Sequence, residues 1–285
     1  MQKQKSILIT GCSSGIGHHA AHALQGLGYR VFACVRKIED VERLKQQGLK
    51  DAYQLDLDSS ESIQQAVDWV LEQTGGTLDA LFNNGAYGQP GAVEDLTRDV
   101  LRQQFESNLF GWHELTCKVL PIMRKQGHGR IIQNSSVLGL ITLKYRGAYN
   151  ASKFALEGLT DTLRQELHGT NIHISLIEPG PITSQFRDNA YQQFKANIDQ
   201  ENSAHKATYQ AVDRRLAKKD GKSKDPFTLG PEAVTKRLIH ALEHKRPKAR
   251  YYVTFPTYLF GGLRRLLSSS MLDRVLIRIS GDENK

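Results

Sequence analysis

The stretch YNASK, residues 149–153, places Tyr149 and Lys153 four positions apart, and side chains at this spacing share one face of a helix. An unperturbed tyrosine has a pKa of about 10, so it exchanges protons poorly at neutral pH. A nearby ammonium group favours the phenolate and lowers that pKa. We therefore predict an acid–base pair in which Lys153 lowers the pKa of Tyr149, although such pairs are also common on helix surfaces.

A glycine-rich turn, TGCSSGIG at residues 10–17, follows the first apolar run and precedes a helical pattern. Its glycine spacing, G-x-x-x-G-x-G, differs from the G-x-G-x-x-G dinucleotide fingerprint. Glycine still lets the backbone approach a pyrophosphate, and the N-terminal N–H groups of a helix attract the anion. The predicted pyrophosphate-binding residues are Gly11, Ser13, Ser14, Gly15, Ile16 and Gly17.

The end of the second apolar run bears on which nucleotide binds. A carboxylate there would bind the ribose 2′-hydroxyl of NAD, but Val35 occupies the position and Arg36 and Lys37 follow. A guanidinium forms paired hydrogen bonds with a phosphate. We predict NADP(H), against the alternative of a surface Arg–Lys pair without a ligand. Asp56 and Leu57 end the third run, where an adenine ring would lie.

The elements that must position these residues follow a simple pattern. Seven apolar, β-branched runs alternate with longer segments of helical period, which is typical of βαβ units and a parallel sheet. Runs buried on both faces indicate a doubly wound α/β fold with ligands at the carboxyl ends of the strands. The predicted strands are 6–10, 30–35, 52–57, 78–84, 129–136, 172–180 and 250–254. The predicted helices lie near 16–27, 99–126, 149–168 and 227–245.

Composition supports one folded unit. The chain has 285 residues, of which 39% are hydrophobic and 24% charged, with neither a linker nor an internal repeat. It enters a strand almost at once and has no apolar run of roughly 20 residues, so we expect no signal peptide, no membrane span and a cytoplasmic location. The three cysteines lack metal-ligand spacing, so we predict no metal site.

The formal charge of +8 is unevenly distributed. Residues 1–200 carry 20 basic and 21 acidic side chains, whereas residues 201–285 carry 18 and 9. A basic region is attracted to nucleic acid, membrane surfaces or anionic substrates. We favour a basic face exposed to solvent over any of these partners, and we expect the protein not to bind nucleic acid.

Six motifs together resemble the short-chain dehydrogenases/reductases, closely over residues 6–184 and more loosely to 254. Within that family the chain is most similar to bacterial single-domain oxidoreductases related to hydroxysteroid and retinol dehydrogenases. One departure concerns residues 83–86, where the family has NNAG and this chain has NNGA, so Asn84 is a weaker cofactor-binding candidate than the glycines. The motifs are TGCSSGIG (10–17), NNGA (83–86), SNLFG (107–111), NSSVLG (134–139), YNASK (149–153) and PGPI (179–182).

The resemblance implies a catalytic group of Asn108, Ser136, Tyr149 and Lys153. Tyr149, its pKa lowered by Lys153 and by the positive nicotinamide ring of the oxidised cofactor, would protonate the substrate oxygen during carbonyl reduction. Ser136 would hold that oxygen. Lys153 would bind the nicotinamide ribose, and Asn108 would hold a water that relays protons to it. Tyr149 therefore belongs to both the substrate site and the cofactor site.

The resemblance also implies a nicotinamide site after the sixth strand, a Rossmann fold and a homodimer or homotetramer formed through helices 99–126 and 149–168. The carboxamide partner is Ser184 or the adjacent Thr183, and Ile182 would back the ring. The predicted nicotinamide-site residues are Pro179, Gly180, Ile182, Thr183 and Ser184.

The C-terminal part carries fewer signals. We divide the single domain 1–285 into a cofactor-binding and catalytic core (1–184), a substrate lid (185–230), a last helix and strand (231–254) and a basic amphipathic extension (255–285). The extension reads as a terminal helix that packs on the body or on a sister subunit, with a weak peripheral membrane contact as an alternative. Its apolar stripe also suggests a pocket for lipophilic substrates. The stripe consists of Leu263, Leu266, Leu267, Met271, Val275 and Ile279.

These observations predict an NADP(H)-dependent oxidoreductase that interconverts a small-molecule carbonyl compound, an aldehyde or ketone, and an alcohol. Nucleotide-sugar epimerases or dehydratases also use a Tyr-x-x-x-Lys pair, but the glycine spacing and the modest C-terminal part argue against them. The alternative from another class is a non-catalytic NADP(H)-sensing regulator or binding module. The complete set of Asn108, Ser136, Tyr149 and Lys153 argues against it, because a sensor needs the pocket but not the acid.

Overall fold

A computed structural model describes residues 4–217 and 226–283. Seven strands form one sheet in which every neighbouring pair is parallel, in the order β3-β2-β1-β4-β5-β6-β7. The predicted strands are therefore confirmed, but several are shorter, and the third ends before Asp56. The strands are β1 (Ser6–Ile9), β2 (Arg30–Val35), β3 (Ala52–Gln54), β4 (Ala80–Asn83), β5 (Gly129–Asn134), β6 (Ile172–Glu178) and β7 (Arg250–Tyr252).

Helices cover both faces of the sheet, because successive strand residues point to opposite sides. Ile7 and Ile9 belong to one core cluster, and Leu8 between them belongs to the other. The helices are α1 (Gly15–Gly26), α2 (Ile38–Gln46), α3 (Ser60–Thr74), α4 (Arg98–Phe105), α5 (Gly111–Gln126), α6 (Gly147–Glu166), α7 (Phe186–Asn197), α8 (Lys206–Ala217), α9 (Pro231–Glu243), α10 (Phe255–Leu266) and α11 (Ser269–Glu283).

Strand order reverses beside β1, which pairs with β2 on one side and β4 on the other. Ligands of open α/β sheets bind in the crevice beyond the strands at this switch point. The glycine turn after β1 lies there, so the topology places the predicted nucleotide site at the expected edge of the sheet.

The predicted helix 99–126 is interrupted by a π-helical segment, Glu106–Phe110. The uninterrupted helix predicted from sequence is therefore wrong. Gly111, where α5 begins, packs so closely on the backbone of Leu57 that a Cβ would collide with its carbonyl. The wider turn falls on Asn108, and π-bulges of this kind often occur at functional sites.

The expected lid, residues 185–230, contains α7 and α8, and Phe194 of α7 and Tyr209 of α8 share a small core with Ala92. A bridge between Ile182 and Leu229 holds the two ends of this segment together. Residues 218–225 of the lid lie outside the described residues.

The C-terminal extension forms two helices, not the single helical stripe predicted. The chain turns at Leu267, so the stripe is interrupted and Leu266 is 82% exposed. Leu276 and Ser280 of α11 are buried instead, which confirms that the terminal helix packs on the body. Among the described residues, no helix combines the length and apolar character needed to cross a bilayer.

Candidate active site

Ser136 and Tyr149 meet at the carboxyl end of β5. Ser136 caps the 3₁₀ turn Val137–Gly139, and its hydroxyl accepts a hydrogen bond from the N–H of Leu138 at 3.1 Å. Tyr149 lies in the first turn of α6, and its phenol is hydrogen-bonded to the Ser136 side chain. The structure therefore brings together the two hydroxyl groups that the sequence assigns to one substrate oxygen.

Lys153 is almost completely buried one turn further along α6. Its Nζ donates to the carbonyl oxygen of Asn134 at 2.9 Å and lies 4.2 Å from the centroid of the Trp112 ring. Burial lowers the pKa of Lys153 to about 7, against a smaller opposite effect of Glu157. Trp112, which donates to the carbonyl of Gly85 at 2.8 Å, was not anticipated from the sequence.

Lys153 by itself does not lower the pKa of Tyr149 in the structure. Burial raises the pKa of its phenol to about 12, and the Ser136 hydrogen bond and the charge of Arg146 act in the opposite direction without cancelling it. The Lys153 ammonium lies 5.6 Å from the centre of the tyrosine ring and is itself desolvated. The phenol is therefore held in its protonated form at neutral pH.

Asn108 is completely buried in the π-helical segment. Its amide accepts from the N–H of Tyr87 at 3.1 Å and donates to the carbonyl of the same residue at 2.8 Å. It also lies 3.3 Å from the hydroxyl of Ser152, which neighbours Lys153 on α6. Asn108 thus ties the chain after β4 to the helix that carries the tyrosine and the lysine.

The glycine turn has the shape of an anion cradle. Gly11 and Gly15 have φ angles of +70° and +58°, and a Cβ at Gly17 would collide with the carbonyl of Gly11. Ser14, the N-cap of α1, makes no side-chain capping bond, so the first N–H groups of the helix keep their capacity for an anion. Ile16 packs against the core, and the carbonyl of Ser13 accepts from Arg43 at 2.9 Å.

Asn84 belongs to the frame of this turn. Its side chain donates to the carbonyl of Thr10 at 3.0 Å, and its oxygen accepts from Asn134 at 2.8 Å. The reversed NNGA order is compatible with the turn, because a Cβ at Gly85 would lie only 3.2 Å from the nitrogen of Gly11. Asn84 links the ends of β1, β4 and β5.

The proposed adenosine side is open. Arg36 and Lys37 follow β2 and are exposed, and Gln54 donates to the carbonyl of Arg36 at 3.0 Å. Asp56 is half-buried and its carboxylate accepts from the N–H of Asp58, while Leu57 packs beside Gly85. Their role in binding the adenosine end of a cofactor stays a prediction.

The segment after β6 reaches the glycine turn. Ser184 packs against Gly15, where a Cβ would approach the serine Cβ to 3.0 Å, whereas Thr183 is exposed. This placement favours Ser184 over Thr183 as the residue facing the cofactor. Two further residues fix the segment's path. The carbonyl of Pro179 accepts from Val137 at 2.8 Å, and Gly180 leaves no room for a Cβ beside Thr254.

Sequence reasoning missed an aromatic contact over the tyrosine. Phe186 begins α7 and meets the Tyr149 ring edge to face, with 5.3 Å between the ring centres. A Cβ at Gly88 would lie 2.8 Å from the same phenylalanine. Leu138, Leu276 and the partly buried Tyr149 share an apolar cluster on the other side. The surroundings of the phenol are therefore mainly apolar.

A buried carboxyl cluster below the catalytic group was also missed, because its members are distant in sequence. Arg250 of β7 contacts Glu157 at 2.8 Å, Asp161 at 2.9 Å and Glu178 at 3.1 Å. Burial and the neighbouring Glu157 raise the pKa of Glu178 to about 9. We call these four residues, Glu157, Asp161, Glu178 and Arg250, the carboxyl cluster.

Comparison with known proteins agrees with this arrangement. The family profile described as short chain dehydrogenase matches residues 5–195. The chain is 43% identical over 273 residues to the uncharacterized oxidoreductase YbbO of Escherichia coli, covering 96% of this chain and 94% of that protein. It is 30% identical over 289 residues to the NADPH-dependent 3-dehydrocapnine reductase of Ornithobacterium rhinotracheale, covering 95% of each.

The predicted relation to hydroxysteroid and retinol dehydrogenases is also confirmed. Human 17-beta-hydroxysteroid dehydrogenase type 1 is 33% identical over 262 residues, covering 87% of this chain and 77% of that protein. A crystal structure of a short chain dehydrogenase/reductase from Burkholderia phymatum in complex with NAD superposes with a TM-score of 0.77 at 26% identity, covering 96% and 95% of the two chains. A nicotinamide cofactor therefore suits the site described above, and the chain belongs to the short-chain dehydrogenase/reductase family of oxidoreductases.

Proposed function

We propose that the protein is an NADP(H)-dependent oxidoreductase that interconverts a lipophilic carbonyl compound and the corresponding alcohol. The observation that carries the proposal is the hydrogen-bonded pair of Ser136 and Tyr149, with Lys153 one turn away. The segment after β6 contacts both this pair and the glycine turn, since its Phe186 touches Tyr149 and its Ser184 packs on Gly15.

The bound nicotinamide nucleotide supplies or accepts the hydride. In carbonyl reduction the hydroxyls of Ser136 and Tyr149 hold the substrate oxygen, and the phenol donates its proton to it. Lys153, whose pKa is about 7, supplies positive charge near the phenolate left behind. Asn108 positions the helix that carries both residues.

A lipophilic substrate suits the apolar surroundings of the tyrosine. Phe186 lies on one side of its ring, and the cluster of Leu138, Ile141 and Leu276 lies on the other. Among the similar proteins, 17-beta-hydroxysteroid dehydrogenase type 1 is named for a reaction of a steroid, and the 3-dehydrocapnine reductase for an NADPH-dependent reduction. We expect catalytic efficiency to rise with the apolar size of the carbonyl compound.

The direct test is NADPH oxidation by the purified protein with aldehydes and ketones of graded size and polarity. We expect turnover by the native protein and a loss of about 10²- to 10⁴-fold for Tyr149→Phe, with the affinity for NADPH retained. Binding of NADPH without any turnover across the panel would favour the alternative, a non-catalytic NADP(H)-sensing regulator.

The choice of NADP(H) rests on Arg36. It is exposed at the end of β2, and within residues 4–217 and 226–283 we find no hydrogen-bond or ion-pair partner for its guanidinium. A hydrogen bond to a charged group contributes about 1.5–3 kcal/mol, so Arg36→Ala should weaken NADPH binding roughly 10- to 100-fold. NADH binding should change little. Arg124→Ala, an exposed arginine at the end of α5, is the matched control; equal losses for NADPH and NADH would refute the assignment.

A further inference from the structure

Helix α10 exposes an apolar stripe to solvent. Phe255, Tyr258, Leu259 and Leu266 are 59%, 52%, 42% and 82% exposed. Their spacing of i, i+3, i+4 and i+11 places all four on one face of the helix. A helix that served only to cover the core would turn such a face inward. This face is therefore available for a partner.

The stripe continues onto the segment that ends the lid. The ring of Phe227 stacks on that of Phe255, with 5.3 Å between their centres, and Leu229 is 41% exposed. Leu229 is also bridged to Ile182 in the segment beside the glycine turn. These six residues, Phe227, Leu229, Phe255, Tyr258, Leu259 and Leu266, form what we call the C-terminal apolar patch.

The two segments that carry the patch have only positive charges of their own. Segments 226–230 and 255–267 contain no aspartate or glutamate and carry Arg264 and Arg265, of which Arg264 is held against Phe154 and the carbonyl of Leu140. One carboxylate from outside these segments, that of Glu232, lies beside Gly230 at the Leu229 end of the patch. The guanidinium of Arg237 lies 3.4 Å from the hydroxyl of Tyr258. Exposed apolar surface with Arg237 and Arg265 beside it combines hydrophobic attraction with an affinity for anions.

We propose that the C-terminal apolar patch docks the protein on an anionic lipid surface. Amphipathic helices bind such surfaces through buried apolar area together with attraction to acidic headgroups. A second copy of the chain fits less well, because a two-fold contact through this patch would place the Arg265 side chains of both copies in one interface, with no carboxylate from these segments to pair with them.

The docking surface adjoins the lid end of the candidate active site, through Leu229 and Ile182. On this arrangement an apolar carbonyl compound from the bilayer would reach the protein near the lid end of the candidate active site. This route rests on the proposed function, whereas docking itself does not.

Flotation with vesicles tests the docking. We expect the full-length protein to float with phosphatidylcholine vesicles that contain phosphatidylglycerol, weakly with phosphatidylcholine alone, and less at high salt. The double variant L259E/L266E should lower the partition coefficient at least about tenfold. Leu27→Glu is the control, because Leu27 is 58% exposed and lies at the end of α1, outside the patch.

Three results would overturn the proposal: no flotation with anionic vesicles at low salt, equal flotation of L259E/L266E and the native protein, or equal losses in the Leu27→Glu control. Sedimentation velocity without lipid could give a fourth such result. If the native protein is a dimer and L259E/L266E dissociates it, the patch binds a second copy of the chain. Turnover of a water-soluble carbonyl compound should be equal in all variants, which separates failure of docking from failure of the proposed activity.

Discussion

Two ionisable side chains lie one turn apart on α6, and both are buried, but their surroundings differ. Lys153 contacts a backbone carbonyl and the face of Trp112, so its charge is only partly compensated and its pKa is lowered. Glu157 belongs to the carboxyl cluster, where Arg250 provides direct ion pairs to three carboxyl groups. The pKa of Lys153 therefore lies near neutral pH, where its charge can change, whereas Glu157 forms an ion pair that helps to hold β6, β7 and α6 together.

The largest expected effect comes from Lys153→Met. The variant removes the ammonium near the phenolate, and the rate of carbonyl reduction should fall by about 10²- to 10⁴-fold. The free energy of unfolding at neutral pH should not fall, because a desolvated cation is removed from the interior. Steady-state kinetics and urea unfolding measure the two quantities. A variant that loses free energy of unfolding but keeps its rate would contradict the contrast drawn between Lys153 and Glu157.

The converse variant is Arg250→Met. It leaves the buried Glu157 without its cation, and breaking a buried pair in this way costs about 3–5 kcal/mol in the free energy of unfolding. The loss should shrink at acidic pH, where the carboxyl groups are protonated. Arg164→Met, which removes a partly exposed ion pair with the same Asp161, should cost less than about 1 kcal/mol.

The two centres should have opposite pH dependences. Glu178 has a folded pKa of about 9 against 4.5 unfolded, so the folded protein binds more protons and loses stability as pH rises through this window. Lys153 has a folded pKa of about 7 against 10.5, so its contribution rises with pH over that window. Denaturant titrations across these windows should show a flatter alkaline decline for Glu178→Gln and a steeper one for Lys153→Met.

A smaller effect should separate two roles of Trp112. Trp112→Phe keeps an aromatic face near Lys153 and loses the hydrogen bond to the carbonyl of Gly85. The free energy of unfolding should therefore fall by about 0.5–1.5 kcal/mol. Trp112→Leu also removes the cation–π contact that stabilises the charged form of Lys153. The pKa of Lys153, and with it the pH at which activity changes, should therefore be lower in this variant. The pH profile of kcat/KM distinguishes them; identical profiles would remove Trp112 from any electrostatic role.

Much of this structure could be predicted from local pattern. The seven strands and their parallel arrangement follow from apolar runs, and the glycine turn, Ser136, Tyr149 and Lys153 from fixed spacings. The carboxyl cluster could not be found in this way, because Arg250 is 93 positions from Glu157 and meets it only after β6 and β7 pair. Phe186 lies in a segment whose composition gave no strong periodicity.

Three errors have physical causes. The π-helical segment Glu106–Phe110 ends where Gly111 approaches the backbone of Leu57, a tertiary contact that helical period does not reveal. The turn at Leu267 divides a stripe that looks continuous in sequence. The pKa of Tyr149 depends on how much water the fold removes from the phenol, and charge spacing along a helix does not measure that.

The bridge between Ile182 and Leu229 has a consequence for how the family diversifies. The N–H of Thr183 donates to the carbonyl of Leu229 at 2.9 Å, and the N–H of Leu229 donates to Pro181 at 3.2 Å, so the excursion begins and ends at neighbouring points of the frame. A segment with adjoined ends can lengthen or shorten at little entropic cost. We expect this stretch to be interchangeable between relatives as a cassette, so that new substrate preferences evolve without rebuilding the catalytic machinery.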